Sequence, residues 1–289
     1  MKTQEFDYSQ AFDRNLGWLT QNEQNRLRKS SVAIAGVGGA GGYQAQVLGR
    51  LGVGRFKIAD SDIFELTNFN RQIGATISTV GQSKTAVTKE MILSINPEAQ
   101  VEIFPEGISA VNIDAFLENV DLALDGIDFF EVDTKILFFE KCYQKKITAV
   151  TSCPIGFGAS LIVFTPSGMK YDAYFDFKEG MSEDQKRRTL MFGLAPSALS
   201  LSYMGKDALN SKTHRAASVS PGLMLVGALT GTESVKIITG KGKVWASPRI
   251  YQLDLLTQRV RRKYYPYGMR SFWQRLKKLA IFMWLSIKK

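Results

Sequence analysis

A glycine-rich turn between a short apolar strand and a helix constrains this fold more than any other feature. Residues 31–36 are typical of a buried parallel strand, and glycines stand at positions 36, 38, 39 and 41. A helix is predicted from about 42 to 51, and a second strand is predicted at 55–59, directly before Asp60. Glycines permit the tight turn and let backbone N–H groups approach a phosphate, while an acidic residue after the second strand can hold ribose hydroxyls. This order predicts a nucleotide-binding site.

Polar residues downstream of Asp60 predict which kind of nucleotide is bound. Asn68, Asn70, Arg71 and Gln72 follow it closely, and Lys84 comes next. Amide groups and cations can stabilise the negative charge that develops on the phosphoryl oxygens when a nucleophile attacks a phosphate. The pattern therefore favours a nucleoside triphosphate that reacts in the site. A nicotinamide-dependent oxidoreductase has no evident use for these residues and is the weakest alternative.

Strand and helix signals alternate along most of the chain. Further strands are predicted at 100–104, 120–124, 147–151 and 159–165, with helices at 82–94, 112–118 and 129–144. A helix from Ser220 to about 239 precedes closing strands at 244–245, 250–255 and 259–262. The predicted class is α/β, with a doubly wound, mostly parallel Rossmann-like sheet, helices on both faces and a C-terminal mixed sheet portion.

The chain is predicted to comprise five regions. These are an N-terminal helical segment (1–30), a nucleotide-binding Rossmann-like region (31–165), a crossover or lid (166–219), a closing helix and strands of the same domain (220–265) and a basic amphipathic tail (266–289). The start of the chain lacks the apolar stretch of a secretory signal, and Cys142 and Cys153 provide no disulfide framework. A reducing, cytoplasmic location is therefore expected.

Several motifs in order resemble the ThiF/MoeB/HesA family, the adenylating enzymes related to ubiquitin-activating enzymes. The resemblance covers roughly residues 10–165 and rests on Asp60, Asn68-Phe-Asn-Arg-Gln, Gly81-Gln-Ser-Lys, Asn96-Pro and Asp125-Gly-Ile-Asp. It implies an ATP- and Mg²⁺-dependent adenylyltransferase, in which a carboxylate attacks the α-phosphorus of ATP and pyrophosphate leaves. Because a carboxylate is already ionised at neutral pH, such a step needs positioning and charge neutralisation rather than a protein nucleophile.

The resemblance implies a role for each matching residue. The implied cofactor-binding set is Gly36, Gly38, Gly39, Gly41, Asp60, Asp62, Asn68, Arg71, Gln72, Lys84 and Asp128. Within it, Asp60 holds the ribose, while Asn68, Arg71 and Lys84 contact the triphosphate. Asp128 is the implied magnesium ligand, whereas Asp125 is expected to be structural. Arg14 matches an arginine that reaches into the partner subunit's site, which implies a homodimer and adds Arg14 to the catalytic set of Arg71, Lys84 and Asp128.

Three features depart from the family pattern. The chain lacks the paired CxxC motifs of zinc-containing members, so no zinc is expected. Residues 166–219 contain no cysteine, which disfavours a thioester or persulfide relay. Phe129 follows Asp128 where the family commonly has Asn. We expect Cys142 to be a core residue, and we assign no catalytic role to Cys153 or His214.

The tail carries the basic charge of the chain. Residues 241–289 hold 13 Lys or Arg and one acid, a net charge of +12, whereas the first 240 residues have a net charge of −2. A helix over 271–289 is too short and too charged to span a bilayer. One of its faces would carry Phe272, Trp273, Leu276, Leu279, Ala280, Met283, Trp284 and Ile287. Docking on its own domain or a partner, lying on an anionic membrane surface, and binding RNA phosphates are the three alternatives.

The predicted acceptor is the C-terminus of a small ubiquitin-like or carrier protein, or of a peptide. The second hypothesis is a carboxyl group on tRNA, since the chain also resembles tRNA threonylcarbamoyladenosine dehydratases, which likewise lack the CxxC zinc site. A third is a non-catalytic nucleotide-binding scaffold, for which the Asp128-Phe129 pair is the hint. The sequence leaves open the acceptor's identity, the nucleophile that resolves the adenylate, and the pathway.

Overall fold

The computed structural model describes residues 5–205, 208–210 and 215–287. The helices are α1 Tyr8–Ala11, α2 Gln21–Lys29, α3 Gly39–Arg50, α4 Lys84–Ile95, α5 Ile113–Phe116, α6 Val132–Gln144, α7 Tyr171–Phe175, α8 Glu183–Leu194, α9 Ser220–Thr239 and α10 Phe272–Ile287. The strands are β1 Ser31–Ala35, β2 Arg55–Ala59, β3 Gln100–Phe104, β4 Leu122–Asp125, β5 Thr148–Ile155, β6 Gly158–Phe164, β7 Leu209–Asn210, β8 Arg215–Ala216, β9 Arg249–Asp254 and β10 Arg259–Tyr264.

One eight-stranded sheet organises the chain. Its strand order is β10-β9-β6-β5-β4-β1-β2-β3, and β7 pairs separately with β8. The five strands from β3 across to β5 are parallel, whereas β6, β9 and β10 add antiparallel pairs. The predicted α/β class, with a parallel doubly wound part and a mixed C-terminal part, is confirmed.

Helices cover both faces of the parallel part, which explains its continuous apolar strands. In β1, Ala33 and Ala35 belong to a core cluster with residues of α5, α6, α7 and α8. Val32 and Ile34 point to the other face and join a cluster with residues of α2, α3 and α4. Because successive strand residues face opposite sides, burial on both faces requires an unbroken apolar run.

Local signals at helix ends match the structure. Thr20 and Glu23 form the capping box that opens α2. Helix α9 has Pro221 in its first turn and is followed by Gly240, whose φ of 77° is left-handed. The expected helical pieces of the crossover are α7 and α8, and the latter also begins with a capping box, at Ser182.

One predicted strand is wrong. Residues 244–245 lie outside the strands, and Ala246 makes only an isolated bridge to Val163 of β6. Two residues later, Pro248 has no N–H to donate to a ladder, and it separates this bridge from β9, which begins at Arg249. The division into five regions stays a prediction, and His214, Lys288 and Lys289 lie outside the described residues.

Candidate nucleotide site at the carboxyl edge of the sheet

The strand order reverses between β1 and β4. From β1 the chain proceeds through β2 to β3 on one side, and β4 then pairs with the opposite side of β1. In open α/β sheets, ligands bind at such a switch point, outside the carboxyl ends of the strands. Gly36 and Gly126, which directly follow β1 and β4, mark this position.

The glycine turn packs against the loop after β4. Gly36 has a φ of +83°, and a Cβ on it would lie 2.4 Å from the Gly126 carbonyl oxygen. A Cβ on Gly41 would lie 1.8 Å from the Gly36 carbonyl oxygen. At Gly38, the residue preceding α3, the nearest atoms to a Cβ would be those of the Gln72 amide, at 3.5 Å. Gly36 and Gly41 therefore serve backbone packing, while Gly38 lies against a polar side chain.

Asp60 is fixed between the turn and its own loop. Its Oδ2 accepts the Val37 N–H at 2.8 Å, and its Oδ1 accepts the Asp62 N–H at 2.9 Å. Burial raises the pKa of Asp60, although these hydrogen bonds and the nearby Lys84 charge oppose the rise. The carboxylate thus lies beside the glycine turn, where the nucleotide fingerprint requires an acceptor for ribose hydroxyls.

The loop from Asn68 to Gln72 closes one side of the site. Asn68 is buried, and its Oδ1 accepts the Glu65 N–H at 3.1 Å. Arg71 Nη1 donates to the Thr67 carbonyl at 2.8 Å. The Oε1 atom of Gln72 is buried without a hydrogen-bond partner in the described part of the chain. A buried acceptor beside Gly38 is a group that a bound ligand could satisfy.

The same loop reaches across to the segment preceding α9. Asn70 Nδ2 donates to the Ser218 carbonyl at 2.9 Å. Leu223 in the first turns of α9 lies close to Gly39, where an added Cβ would be 3.0 Å from Leu223 Cδ1. The loop, the glycine turn and the start of α9 therefore surround one region.

Lys84 begins α4 with its side chain buried. Its Nζ lies 2.7 Å from Asp62 Oδ2, and its backbone N–H donates to the Asp62 carbonyl. The Asp62 side chain is 67% exposed, whereas that of Lys84 is 7% exposed. A buried ammonium with one exposed carboxylate partner can exchange that partner for an incoming anion.

Asp125 anchors a buried network behind the site. Its two oxygens accept from Lys135 Nζ at 2.7 and 3.0 Å, and Thr151 Oγ1 donates to Oδ2 at 2.8 Å. Lys135 also donates to the Ile127 carbonyl at 2.7 Å. These contacts hold the 125–128 loop and agree with the expectation that Asp125 is structural, which stays a prediction.

Sequence reasoning missed Lys135. Its signal was a single cation in the apolar stripe of α6, where Val132, Phe138 and Cys142 are buried on the same side. A lone lysine at such a position needs a buried counter-ion, because an unpaired buried charge is costly. Asp125 at the end of β4 is that counter-ion.

Asp128 is exposed at the end of the loop that Lys135 holds. Its Oδ1 accepts the Phe130 N–H at 2.8 Å, and α6 begins only at Val132, later than predicted. Within the described ranges, no group of three or more His, Cys, Asp or Glu could hold a metal ion. One carboxylate beside a phosphate site nevertheless fits Mg²⁺, which is usually bound through one or two carboxylates, substrate phosphates and water.

Arg14 does not join the other predicted residues. It lies exposed in a 3₁₀ turn, Asp13–Asn15, next to Asn15, whose Nδ2 donates to Gln24 Oε1 at 3.1 Å. Gln24 in turn donates to the carbonyl of Leu51, just past the end of α3. Helix α3 is 12 residues long. At a rise of 1.5 Å per residue, roughly 18 Å separates this end from the glycine turn.

The cysteines lie in apolar surroundings. Cys142 is buried in the core cluster, as expected, and burial raises the pKa of its thiol. Cys153 packs against the same cluster, and burial raises its thiol pKa to about 12. A thiol with a raised pKa is a poor nucleophile near neutral pH.

A surface cavity of about 460 Å³ lies elsewhere. Arg28, Lys29, Arg55 and Asn96 are among its lining residues. It adjoins the start of β2, at the amino edge of the parallel strands. Arg28 is paired there with Glu98 at 2.6 Å. The cavity is therefore at the opposite edge from the carboxyl ends of the strands, where open α/β sheets bind ligands.

Comparison with known proteins agrees with this geometry. A model of the ThiF family matches residues 12–266. The chain therefore belongs to the ThiF family.

Among curated relatives, the molybdopterin-synthase adenylyltransferase of Escherichia coli K12 is 27% identical over 239 residues, covering 82% of this chain and 84% of that protein. The tRNA threonylcarbamoyladenosine dehydratase of Haemophilus influenzae is 34% identical over 146 residues, covering 50% and 55%. A probable molybdopterin-synthase adenylyltransferase of Porphyra purpurea is 27% identical over 220 residues, covering 75% and 50%. The chain thus spans about half the length of the last two proteins.

Solved structures share the fold. Escherichia coli MccB with ATP superposes with a TM-score of 0.64 at 18% identity, covering 94% of this chain and 73% of that one. MccB with MccA-N7isoASN gives a TM-score of 0.68 at 16% identity, covering 93% and 75%.

Proposed function

We propose that this protein activates a carboxylate by adenylation with ATP and Mg²⁺. The observation that carries the proposal is the meeting of the glycine turn, Asp60 and the buried Lys84 at the switch point of the sheet. A carboxylate oxygen would form a bond to the α-phosphorus, and the bond from that phosphorus to the bridging oxygen of pyrophosphate would break. Membership of the ThiF family and the adenylyltransferases among its relatives support this chemistry.

The chain's own residues supply binding and charge. The N–H groups at the start of α3 face a phosphate, and Asp60 accepts from ribose hydroxyls. Before ATP binds, Asp62 holds the Lys84 ammonium in place. When ATP binds, Lys84 would exchange Asp62 for the phosphate oxygens. Arg71, held by the Thr67 carbonyl through one nitrogen, keeps its other N–H groups for the triphosphate.

Magnesium would be held by Asp128 together with phosphate oxygens and water. When bound, it supplies neutralisation of the charge that pyrophosphate carries away. The contacts of Lys135 with Asp125 and the Ile127 carbonyl support the 125–128 loop, from which the Asp128 carboxylate would reach the magnesium ion. The absence of zinc stays a prediction, and elemental analysis of the purified protein would test it.

The proposed acceptor is the C-terminus of a small carrier protein or of a peptide. Supporting relatives are the molybdopterin-synthase adenylyltransferase and MccB, whose structure was solved with MccA. A carboxyl group on tRNA is the second candidate, favoured by the 34% identity with the Haemophilus dehydratase.

A homodimer is also part of the proposal. Within its own subunit, Arg14 lies at the far end of α3 from the glycine turn. It would therefore act only if a partner's copy enters the site, as the family resemblance implies.

Exchange of labelled pyrophosphate into ATP tests the function. We expect exchange that requires Mg²⁺ and one acceptor, added as carrier protein, peptide or tRNA in parallel reactions. ATP with Mg²⁺ should raise the melting temperature, whereas NAD should not, because a ligand that binds the folded state stabilises it. Stabilisation by NAD alone would contradict the proposal. Stabilisation by ATP without exchange on any acceptor class would favour the scaffold hypothesis.

A further inference from the structure

Helix α10 is docked with its charged side toward the domain. Arg275 Nη2 lies 3.0 Å from Asp176 Oδ2, Lys277 Nζ donates to the Pro196 carbonyl, and Lys278 Nζ donates to Thr189 Oγ1. Burial lowers the pKa of both lysines, so this docking has a desolvation cost. Of the apolar side chains, Ile281 packs against the core cluster.

The described side chains of the predicted apolar face are therefore left exposed, whereas those of Trp284 and Ile287 lie outside what the structure describes. A stripe with helical spacing comprises Phe272, Leu276, Leu279 and Met283. The exposed fraction of each of these residues lies between 43% and 68%. Trp273, beside this stripe, is 74% exposed. We call these five residues the α10 stripe. A helix on a domain surface ordinarily buries such a stripe, and a contiguous exposed apolar patch marks an interaction site.

Basic side chains flank the α10 stripe. In β10, Lys263 pairs with Ile250 and Arg261 pairs with Gln252 of β9. Ile250 is buried in the cluster that Ile281 of α10 contacts. Because paired residues point to the same side of a sheet, Lys263 and Arg261 extend on the side where α10 lies. After burial, the positive charge of Lys263 is the second cause that lowers the pKa of Lys277 in α10.

This region has little negative charge of its own. Its single acid, Asp254, is buried and accepts hydrogen bonds from Thr257. Lys263, Arg261, Arg259 and Arg270 are exposed. Outside this region, Asp176 is paired with Arg275 of α10. The exposed bases outnumber this acid, so the surface around the stripe attracts anions.

We propose that the α10 stripe and the basic side chains beside it bind the surface of an anionic lipid bilayer. The aromatic and aliphatic side chains enter the interface, and the flanking bases contact lipid phosphates. Tryptophan suits this boundary because its ring is apolar with one polar N–H. Within the described part of the chain, no helix has the length and apolar character that a crossing requires, so the helix would lie in the interface.

The same charges disfavour a second copy of the chain as the occupant. Pairing two α10 stripes would bring two surfaces of net positive charge together. An RNA would satisfy the bases but would leave the aliphatic stripe without an apolar partner. The bilayer satisfies both features, and this inference is independent of the adenylation proposal.

Vesicle flotation with the full-length protein tests the inference. We expect binding to vesicles of phosphatidylcholine mixed with phosphatidylserine, weak binding to phosphatidylcholine alone, and release as salt is raised. Trp273→Ser combined with Leu279→Ser should weaken binding at least about tenfold, because two exposed apolar side chains no longer enter the interface. Trp18→Ser, at an exposed tryptophan of the N-terminal segment, is the matched control and should have no effect.

The charge requirement is tested by Arg261→Ser combined with Lys263→Ser. Two lost bases should weaken binding to the anionic vesicles roughly 30-fold, at about tenfold for every 1.4 kcal/mol. All four replaced residues are exposed, so the melting temperature should not change, and this separates the surface role from a structural one. The inference is overturned if the full-length protein does not bind anionic vesicles in the flotation assay. It is also overturned if Trp273→Ser combined with Leu279→Ser changes the oligomeric state or RNA binding and leaves vesicle binding unchanged.

Discussion

The sequence determines the positions of side chains at the carboxyl edge of the parallel strands more directly than in the β9–β10–α10 region. Asp60 and Asp125 stand at strand ends, so the parallel topology brings them to one edge whatever surrounds them. Helix α10 has an apolar face and a charged face, and the sequence allows either one to pack against the domain. The structure buries part of the charged one. A strand-end position is fixed by topology, whereas the choice of a helix face depends on the surface that receives it.

The largest effect is expected from Lys135→Met, which tests whether the carboxyl edge is as rigid as its contacts indicate. Removing the cation leaves Asp125 as an uncompensated buried charge, and breaking such a pair costs about 3–5 kcal/mol. The free energy of unfolding, measured by urea denaturation, should fall by that amount. Vesicle binding through α10 should persist in the fraction that stays folded.

Lys141→Met is the matched control for this experiment. Lys141 lies on the same helix and pairs with Asp114 at the surface, at 3.0 Å. A surface pair contributes little to stability. Equal destabilisation by the two variants would show that the buried network has no special role.

The next largest effect is expected on the rate of pyrophosphate exchange, without a change in vesicle binding. Lys84→Ala, Arg71→Ala and Asp128→Ala should each lower pyrophosphate exchange by about two orders of magnitude or more, the scale for loss of one preorganised charge stabiliser. Lys89→Ala, at a second lysine of α4, should leave exchange unchanged. All four variants should bind vesicles as wild type does. Loss of vesicle binding together with exchange would mean that the two regions are not independent.

A partial effect is expected from subunit mixing. Arg14→Ala protein keeps Lys84, and Lys84→Ala protein can donate Arg14, so a heterodimer has one complete site. Random exchange of a symmetric dimer should restore about a quarter of the wild-type sites. Pyrophosphate exchange after verified subunit exchange measures this. An inactive mixture would contradict a role for Arg14 in the partner's site, and the distance within one subunit would then leave it without a catalytic role.

The smallest effect is expected from Cys153→Ser. Its thiol pKa of about 12 leaves almost no thiolate near neutral pH, so adenylation should stay at the wild-type rate. Alkylation by iodoacetamide should likewise be slow until the pH is strongly alkaline. An inactive but folded variant would reveal thiol chemistry at this position.

Much of the site could be predicted because its signals are local. The glycine turn, Asp60 and Lys84 occur in the order of consecutive strands and helices, and the structure places them around the switch point. Lys135 escaped prediction because its partner, Asp125, lies ten residues away on another element. A pairing of this kind depends on how α6 packs on β4, which no local pattern encodes.

By itself, the sequence determined the α/β class, most element boundaries, the glycine turn and the concentration of positive charge in the last 49 residues. These follow from apolar periodicity, turn chemistry and composition, all of which act over a few residues. Only the tertiary structure decided that residues 244–245 remain unpaired, that Lys135 neutralises Asp125, and that α10 exposes its apolar stripe. Each of these depends on which surfaces meet after the sheet has formed, and contact energies between distant segments decide it.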